Sequence, residues 1–215
     1  MMRKLINLYK RCRKSDTSFT IAMIRYLLHQ VLHNKKLLLH QRVKIKGIRN
    51  IEAADRVEVG IDYIGFSHRT DKTYLNIGGK LKIGKDCHIR RGCRFDIGGE
   101  ATASIGEGVM INCNTKFIIM HSLTIGNGST ISWDCQLLDY DFHKISYEGR
   151  KIVDNEIKIG NHVWIGCGVK IYKGVVIPDG CIIASDSVVK GAFTVKNALI
   201  GGSPARILRE NVEWK

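Results

Sequence analysis

From Ile159 onward every sixth residue is a β-branched aliphatic: Ile159, Ile165, Ile171, Ile177, Ile183, Val189 and Val195. A period of six fits neither the 3.6-residue turn of an α-helix nor the two-residue alternation of a strand. It fits a coil of short flat sides, each turning one side chain inward. Fixed periods of this kind mark stacked repeat architectures. Gly168, Gly174 and Gly180 each follow a position of this ruler by three, where a positive φ lets the chain turn a corner. Four past each ruler position stands an apolar or small residue: Val163, Val169, Val175, Cys181, Ser187, Phe193 and Leu199. These form a second inward layer.

The same step runs upstream, broken by insertions: Ile83, Ile89, Phe95; Ile105, Ile111, Phe117; Ile125, Ile131, Leu137; and Ile45, Ile51, Val57. The reading is a mainly β chain of stacked coils around an aliphatic column, with strands about 4.8 Å apart. A β-sandwich alternates at period two between varied loops and does not hold a six-residue step over seven units. Three segments follow: a basic amphipathic helical arm over 1–42, the coils over 43–200 with a loop projecting at about 138–156, and a tail over 201–215.

Length and charge narrow the function. The 215 residues suffice for one elongated core. Seven cysteines, an odd number, sit mostly where a small apolar residue serves. They read as reduced fillers in a cytoplasmic protein, not as disulfides or a zinc ribbon. The net charge of +14 is uneven: residues 1–46 hold twelve Lys/Arg and one acid, Asp16. Nucleic acid is not the expected partner, because the arm carries no interleaved stacking aromatics and no binding motif. Residues 21–32 are apolar and flanked by basic clusters, yet too short to span a bilayer. They suit peripheral contact with an anionic membrane, or a cap on the first coil.

The tract Ile159-Gly-Asn-His-Val-Trp-Ile-Gly-Cys-Gly-Val-Lys-Ile-Tyr-Lys-Gly-Val-Val-Ile-Pro-Asp-Gly-Cys-Ile-Ile-Ala-Ser-Asp-Ser-Val-Val189 resembles the hexapeptide-repeat acyltransferases. So does the exit Gly201-Gly-Ser-Pro-Ala-Arg-Ile-Leu-Arg209. The resemblance covers residues 43–209. It implies a left-handed parallel β-helix of triangular section, usually a homotrimer, that takes its acyl group from acetyl-CoA. The ending, residues 209–215, resembles enzymes of capsule and lipopolysaccharide gene clusters.

Chemistry is expected where the repeat breaks. Between Leu137 and Ile159 the chain inserts a loop bearing His143 behind Asp139 and Asp141. A sugar hydroxyl attacking a thioester needs a base with a pKa near 7, which imidazole supplies. A nearby carboxylate fixes its tautomer. The resemblance makes His143 the residue that removes the acceptor proton. His121 is a weaker candidate for the same cleft, and His88 and His162 read as exposed corners. Asn112 and Asn114 resemble the Asn-x-Asn pair lining the acceptor site, although Asn is also a favoured corner residue. Trp164, Gly166, Cys167 and Ser185 match positions along the CoA track. Lys190, Arg206 and Arg209 match basic groups near its phosphates, with Lys196 competing for the role of Lys190. No metal is expected, since His121 and His143 stand 22 apart without a near partner.

The expected activity is acetyl transfer from acetyl-CoA to a sugar hydroxyl of a surface polysaccharide or its precursor, in the cytoplasm or at the inner membrane face. Rival readings are an N-acetyltransferase of an amino-sugar nucleotide, a xenobiotic acetyltransferase, and a non-catalytic β-helix scaffold.

Overall fold

The computed structural model describes residues 2–62, 65, 67–143, 146, 148–149 and 154–215. Two helices, α1 (Met2–Lys14) and α2 (Phe19–His33), precede a left-handed parallel β-helix. Among the described residues its strands form three sheets of nine, seven and six strands. Face 1 begins at Leu37–Leu39, face 2 at Val43–Lys46 and face 3 at Ile51–Ala53. The chain visits them in that order on each coil, so every coil has an edge 1–2, an edge 2–3 and an edge 3–1. The coils therefore start at Leu37, paired in parallel with Val57, ahead of the boundary expected at Val43.

The six-residue step is the step from face to face. Ile159 pairs with Ile177 on face 3, Ile165 with Ile183 on face 1, and Ile171 with Val189 on face 2. All six are buried in one continuous cluster, which reaches from Leu37 to Ala205. Each such side chain contributes on the order of 1.5–3 kcal/mol by leaving water. Phe95 and Phe117 stack within it at 4.3 Å. The second layer is buried from Val163 through Ser187. Gly168, Gly174 and Gly180 take φ of 68°, 71° and 69° at corners. The ruler ends at Val189. The last coil is one residue short, so Ile200 takes the face 1 position against Ile183, and Val195 is only half-buried.

A hairpin, Leu199–Gly202 with Ala205–Arg209, closes the C-terminal end antiparallel. Beyond it Trp214 folds back on edge 3–1, stacking on His162 at 4.1 Å and donating to its carbonyl at 2.9 Å. At the other end α2 starts at the N-cap Ser18 and stops at Asn34 in the left-handed region. It lies against the first strand of face 1, with Cys12, Ala22 and Ile61 forming a small satellite core. Arg25 of α2 donates to the carbonyls of His40 (2.7 Å) and Val43 (3.0 Å).

Candidate functional site

Most coils cross edge 2–3 in a tight turn. Met120 and His121, for example, join the strands Lys116–Ile119 and Ser122–Ile125. The next coil leaves face 2 at Leu138 and rejoins face 3 only at Ile157. This is the projecting loop, of which residues 144, 145, 147 and 150–153 lie outside the described residues.

Asp139 roots that loop. It is fully buried, and its carboxylate accepts from three backbone amides of the coil before it: Met120 N at 2.7 Å, His121 N at 2.8 Å and Ser122 N at 3.0 Å. These bonds give it the task of holding a corner, and its partners are backbone amides instead of the His143 ring expected beside it. Asp141 is likewise engaged elsewhere, in an ion pair with Lys173 at 2.6 Å. His143 itself is exposed, and among the described residues no hydrogen bond joins its ring to either aspartate. Just before it Phe142 is held at φ 60°, a conformation that costs a bulky side chain energy and clusters at functional loops. Tyr140 packs between Phe142 (5.2 Å) and His121 (5.5 Å). His121 thus shares the aromatic cluster at the root of the His143 loop.

Beside the loop a cleft of about 420 Å³ opens, lined by Asp141, Tyr172, Lys173, Val188, Lys190 and Gly191. The Lys190 ammonium lies 5.6 Å from the centre of the Tyr172 ring. Lys196 is instead paired with Asp179 at 3.0 Å, which separates the two lysines that compete in the sequence. Tyr172 and Lys173 join the site without having been expected there. Their signal in the sequence is only their place at the end of a face 2 strand (Lys170–Tyr172), in step with the loop.

Edge 1–2 carries a second group. Asn112 and Asn114 follow the strand Met110–Ile111, Gly166 and Cys167 follow Trp164–Ile165, and Ser185 follows Ile182–Ile183. Cys167 Sγ meets Ser185 Oγ at 3.3 Å across one coil. Gly166 permits that approach, because a Cβ there would stand 2.7 Å from Ser185 N. The Asn112 amide donates to Ile131 O at 3.1 Å, and Asn114 turns its corner at φ 60°. Both asparagines therefore also serve the ladder. Trp164 is half-exposed on face 1 and donates to Ser132 Oγ at 3.2 Å. Arg206 and Arg209 lie exposed on the closing hairpin beside that face. Face 2 lies between edge 1–2 and edge 2–3, so the fold divides the predicted residues between two edges instead of collecting them.

A further cluster lies away from both groups. Ligand atoms of Glu58, Asp62 and His88 fall within 4.8 Å of one another. His88 is a half-buried strand residue, not an exposed corner, with Nδ1 3.2 Å from Glu58. Arg11 of α1 donates to both carboxylates and Arg90 to Asp62. Burial alone raises the Asp62 pKa, but the bonds from Arg11 and Arg90 outweigh it and bring it down to about 2. Carboxylates so neutralised make an ion-pair clamp that fastens α1 to the β-helix.

The family model of the bacterial transferase hexapeptide (six repeats) matches residues 156–191. An uncharacterized 24.8 kDa protein in the cps region of Klebsiella pneumoniae is 38% identical over 210 residues, covering 97% of this chain and 94% of that one. Among solved structures, AntD, an N-acyltransferase from Bacillus cereus in complex with dTDP and 3-hydroxybutyryl-CoA, superposes with a TM-score of 0.56 at 17% identity. That match covers 86% of this chain and 87% of AntD. A point mutant of AntD in complex with dTDP and coenzyme A gives a TM-score of 0.55 at the same identity and coverage.

Proposed function

The chain belongs to the hexapeptide-repeat family of left-handed β-helix acyltransferases, and from that premise we propose that it moves an acetyl group from acetyl-CoA to a sugar hydroxyl of a surface polysaccharide or its precursor. The observation that carries the proposal is the division of the site residues between two edges. His143 and the lysine-lined cleft stand on edge 2–3, while Asn112, Asn114, Gly166, Cys167 and Ser185 stand on edge 1–2. Two copies related by cyclic symmetry bring unlike edges together, and three close a ring. The working unit is then a homotrimer with three sites between subunits. The relative from the cps region supports a polysaccharide acceptor, and the CoA complexes of AntD support a CoA thioester as donor on this fold.

In this reading His143 accepts the proton of the acceptor hydroxyl as its oxygen attacks the thioester carbonyl. The new C–O bond forms, the C–S bond breaks, and the imidazolium returns its proton to the departing CoA thiolate. The pantetheine lies along edge 1–2 past Trp164, Gly166, Cys167 and Ser185. Arg206, Arg209 and, from the adjoining copy, Lys190 meet the phosphates. Asn112 and Asn114 orient the acceptor. Seven free cysteines fit work in the reducing cytoplasm, where acetyl-CoA is found.

The test is mass spectrometry of de-O-acetylated capsular and lipopolysaccharide oligosaccharides incubated with the protein and acetyl-CoA. The expected product carries one added acetyl group that mild alkali removes. An alkali-stable acetyl group would place the transfer on an amine, and no product from any glycan would sink the reading.

A further inference from the structure

The helical arm presents its apolar side to the outside. Among the described residues, sixteen large hydrophobic side chains are exposed, and ten of them lie on α1 and α2: Met2, Leu5, Ile6, Tyr9, Ile21, Ile24, Leu27, Leu28, Val31 and Leu32. An ordinary surface helix turns its apolar stripe to the core and its polar side to water. Helix α2 does the reverse. Its inner side is set by buried Ala22 and by Arg25, whose guanidinium bonds to the first coil. The six exposed aliphatics of α2 fall on the opposite side at helical spacing, from Ile21 to Leu32. Val31 is 80% exposed. On α1, Met2, Leu5, Ile6 and Tyr9 form one stripe at i, i+3, i+4 and i+7, and Tyr9 meets Phe19 of α2 edge-on at 5.9 Å. The two stripes adjoin through that contact. Ten such side chains gathered on two packed helices are not singly scattered surface apolars but the kind of grouping that marks an interaction face.

The charge around the patch selects its occupant. Neither helix contains an acidic residue, while Arg3, Lys10, Arg13 and Lys14 are exposed along α1. The only acid of residues 1–46, Asp16, is paired with Arg69. A second copy of the arm would bring two strongly basic surfaces together, which opposes self-association. An anionic bilayer satisfies both features at once: its acyl boundary takes the aliphatic face and its headgroups take the cations. The arm is also a rigid part of the molecule, because the Arg11 clamp to Glu58 and Asp62 and the Arg25 bonds tie both helices to the first coils.

We propose that the outward face of α1 and α2 docks the protein on an anionic lipid membrane, with the roughly 22 Å length of α2 lying in the interface plane. Among the described residues no helix is long and apolar enough to cross a membrane, and the attachment proposed is peripheral. It sets the β-helix beside the headgroups. The docking is independent of the acetyl-transfer reading.

Co-sedimentation of the full-length protein with vesicles decides it. Phosphatidylglycerol-containing vesicles should pellet the protein at low salt, and pure phosphatidylcholine vesicles should not. The triple variant Lys10→Gln/Arg13→Gln/Lys14→Gln should partition about a hundredfold less, at about fivefold per basic residue near an anionic surface. Ile24→Gln/Leu28→Gln/Val31→Gln, at exposed positions that leave the fold intact, should lose vesicle binding with an unchanged melting curve. Failure of the native protein to pellet with anionic vesicles overturns the proposal. So does full retention of binding in the aliphatic variant. If that variant instead changes the oligomeric mass in light scattering, the face is a protein contact and the membrane assignment is wrong.

Discussion

Asp139→Asn separates a residue that holds the loop root from the residue proposed to perform the chemistry. In the native corner Oδ2 accepts from His121 N and Ser122 N, and Oδ1 accepts from Met120 N. An asparagine has one oxygen and one NH₂ group. Whichever way the amide turns, its nitrogen faces at least one backbone N–H. At least one charge-assisted bond is lost, about 1.5–3 kcal/mol, and a buried donor is left without a partner, about 1–3 kcal/mol more. The expected destabilisation is about 4 kcal/mol, or roughly 10 °C in melting temperature for a chain of this size. Circular-dichroism melts measure the loss, and hydrogen exchange at Met120, His121 and Ser122 locates it. Those three amides, at edge 2–3 and the start of face 3, should exchange faster than the amides of the adjoining strands. Unchanged melting and exchange combined with a lower kcat would refute the reasoning, because the carboxylate would then act on His143.

The complementary variant, His143→Ala, should lower kcat about a hundredfold or more, the usual span of a lost general base. Its melting temperature and its calorimetric affinity for acetyl-CoA should stay at the native values, and near-full turnover would remove His143 from the mechanism. Light scattering should give three times the 24.2 kDa chain mass, and a monomer with full activity would rule out sites shared between subunits. Acid should loosen the join between arm and β-helix at His40. Burial, and next the nearby Arg91, lower its pKa from 6.5 to about 4. Its Nδ1 accepts from Arg42 N and its Nε2–H donates to Ser15 O, so the folded form holds a neutral ring. That contribution, on the order of 3 kcal/mol, is complete above pH about 6.5 and is lost as pH falls toward about 4. Melts from about pH 7.5 to about 4.5 should show the decline, and His40→Asn should flatten it; an equal slope in both proteins would assign the effect elsewhere.

The aliphatic column is legible in the sequence because one inward side chain per face leaves a periodic trace, and the register pairs Ile165 with Ile183 just as the step requires. The trace fades at both ends for physical reasons. The first coil runs from Leu37 to its partner Val57, longer than the three six-residue steps of a regular coil, and that length hides a strand which reads as the end of the arm. The last coil is a residue short, which moves the inward position from Val195 to Ile200. Roles that depend on neighbouring coils are less legible. Along the chain Asp139 stands close to His143, whereas its partners Met120 to Ser122 lie a full coil upstream and adjacent in space. His88 looks like a corner because its acid partners, Glu58 and Asp62, belong to the preceding coil and its loop.

The division of the site follows from the same period. Asn112 and Asn114 come one and three residues after the ruler position Ile111. Gly166 and Cys167 come one and two after Ile165, and Ser185 comes two after Ile183. Equal phase puts all five on edge 1–2 whatever the insertions between them. His143 belongs to the passage from Leu137 on face 2 toward Ile157 on face 3, so its phase puts it on edge 2–3. A rigid β-helix does not bend one edge onto another, so among the described residues the two groups stay on separate edges. In the proposed chemistry, the residue that accepts the proton and those that hold the thioester then come from different copies. The aliphatic ladder that makes each edge rigid is thus also what makes assembly a condition of the proposed chemistry.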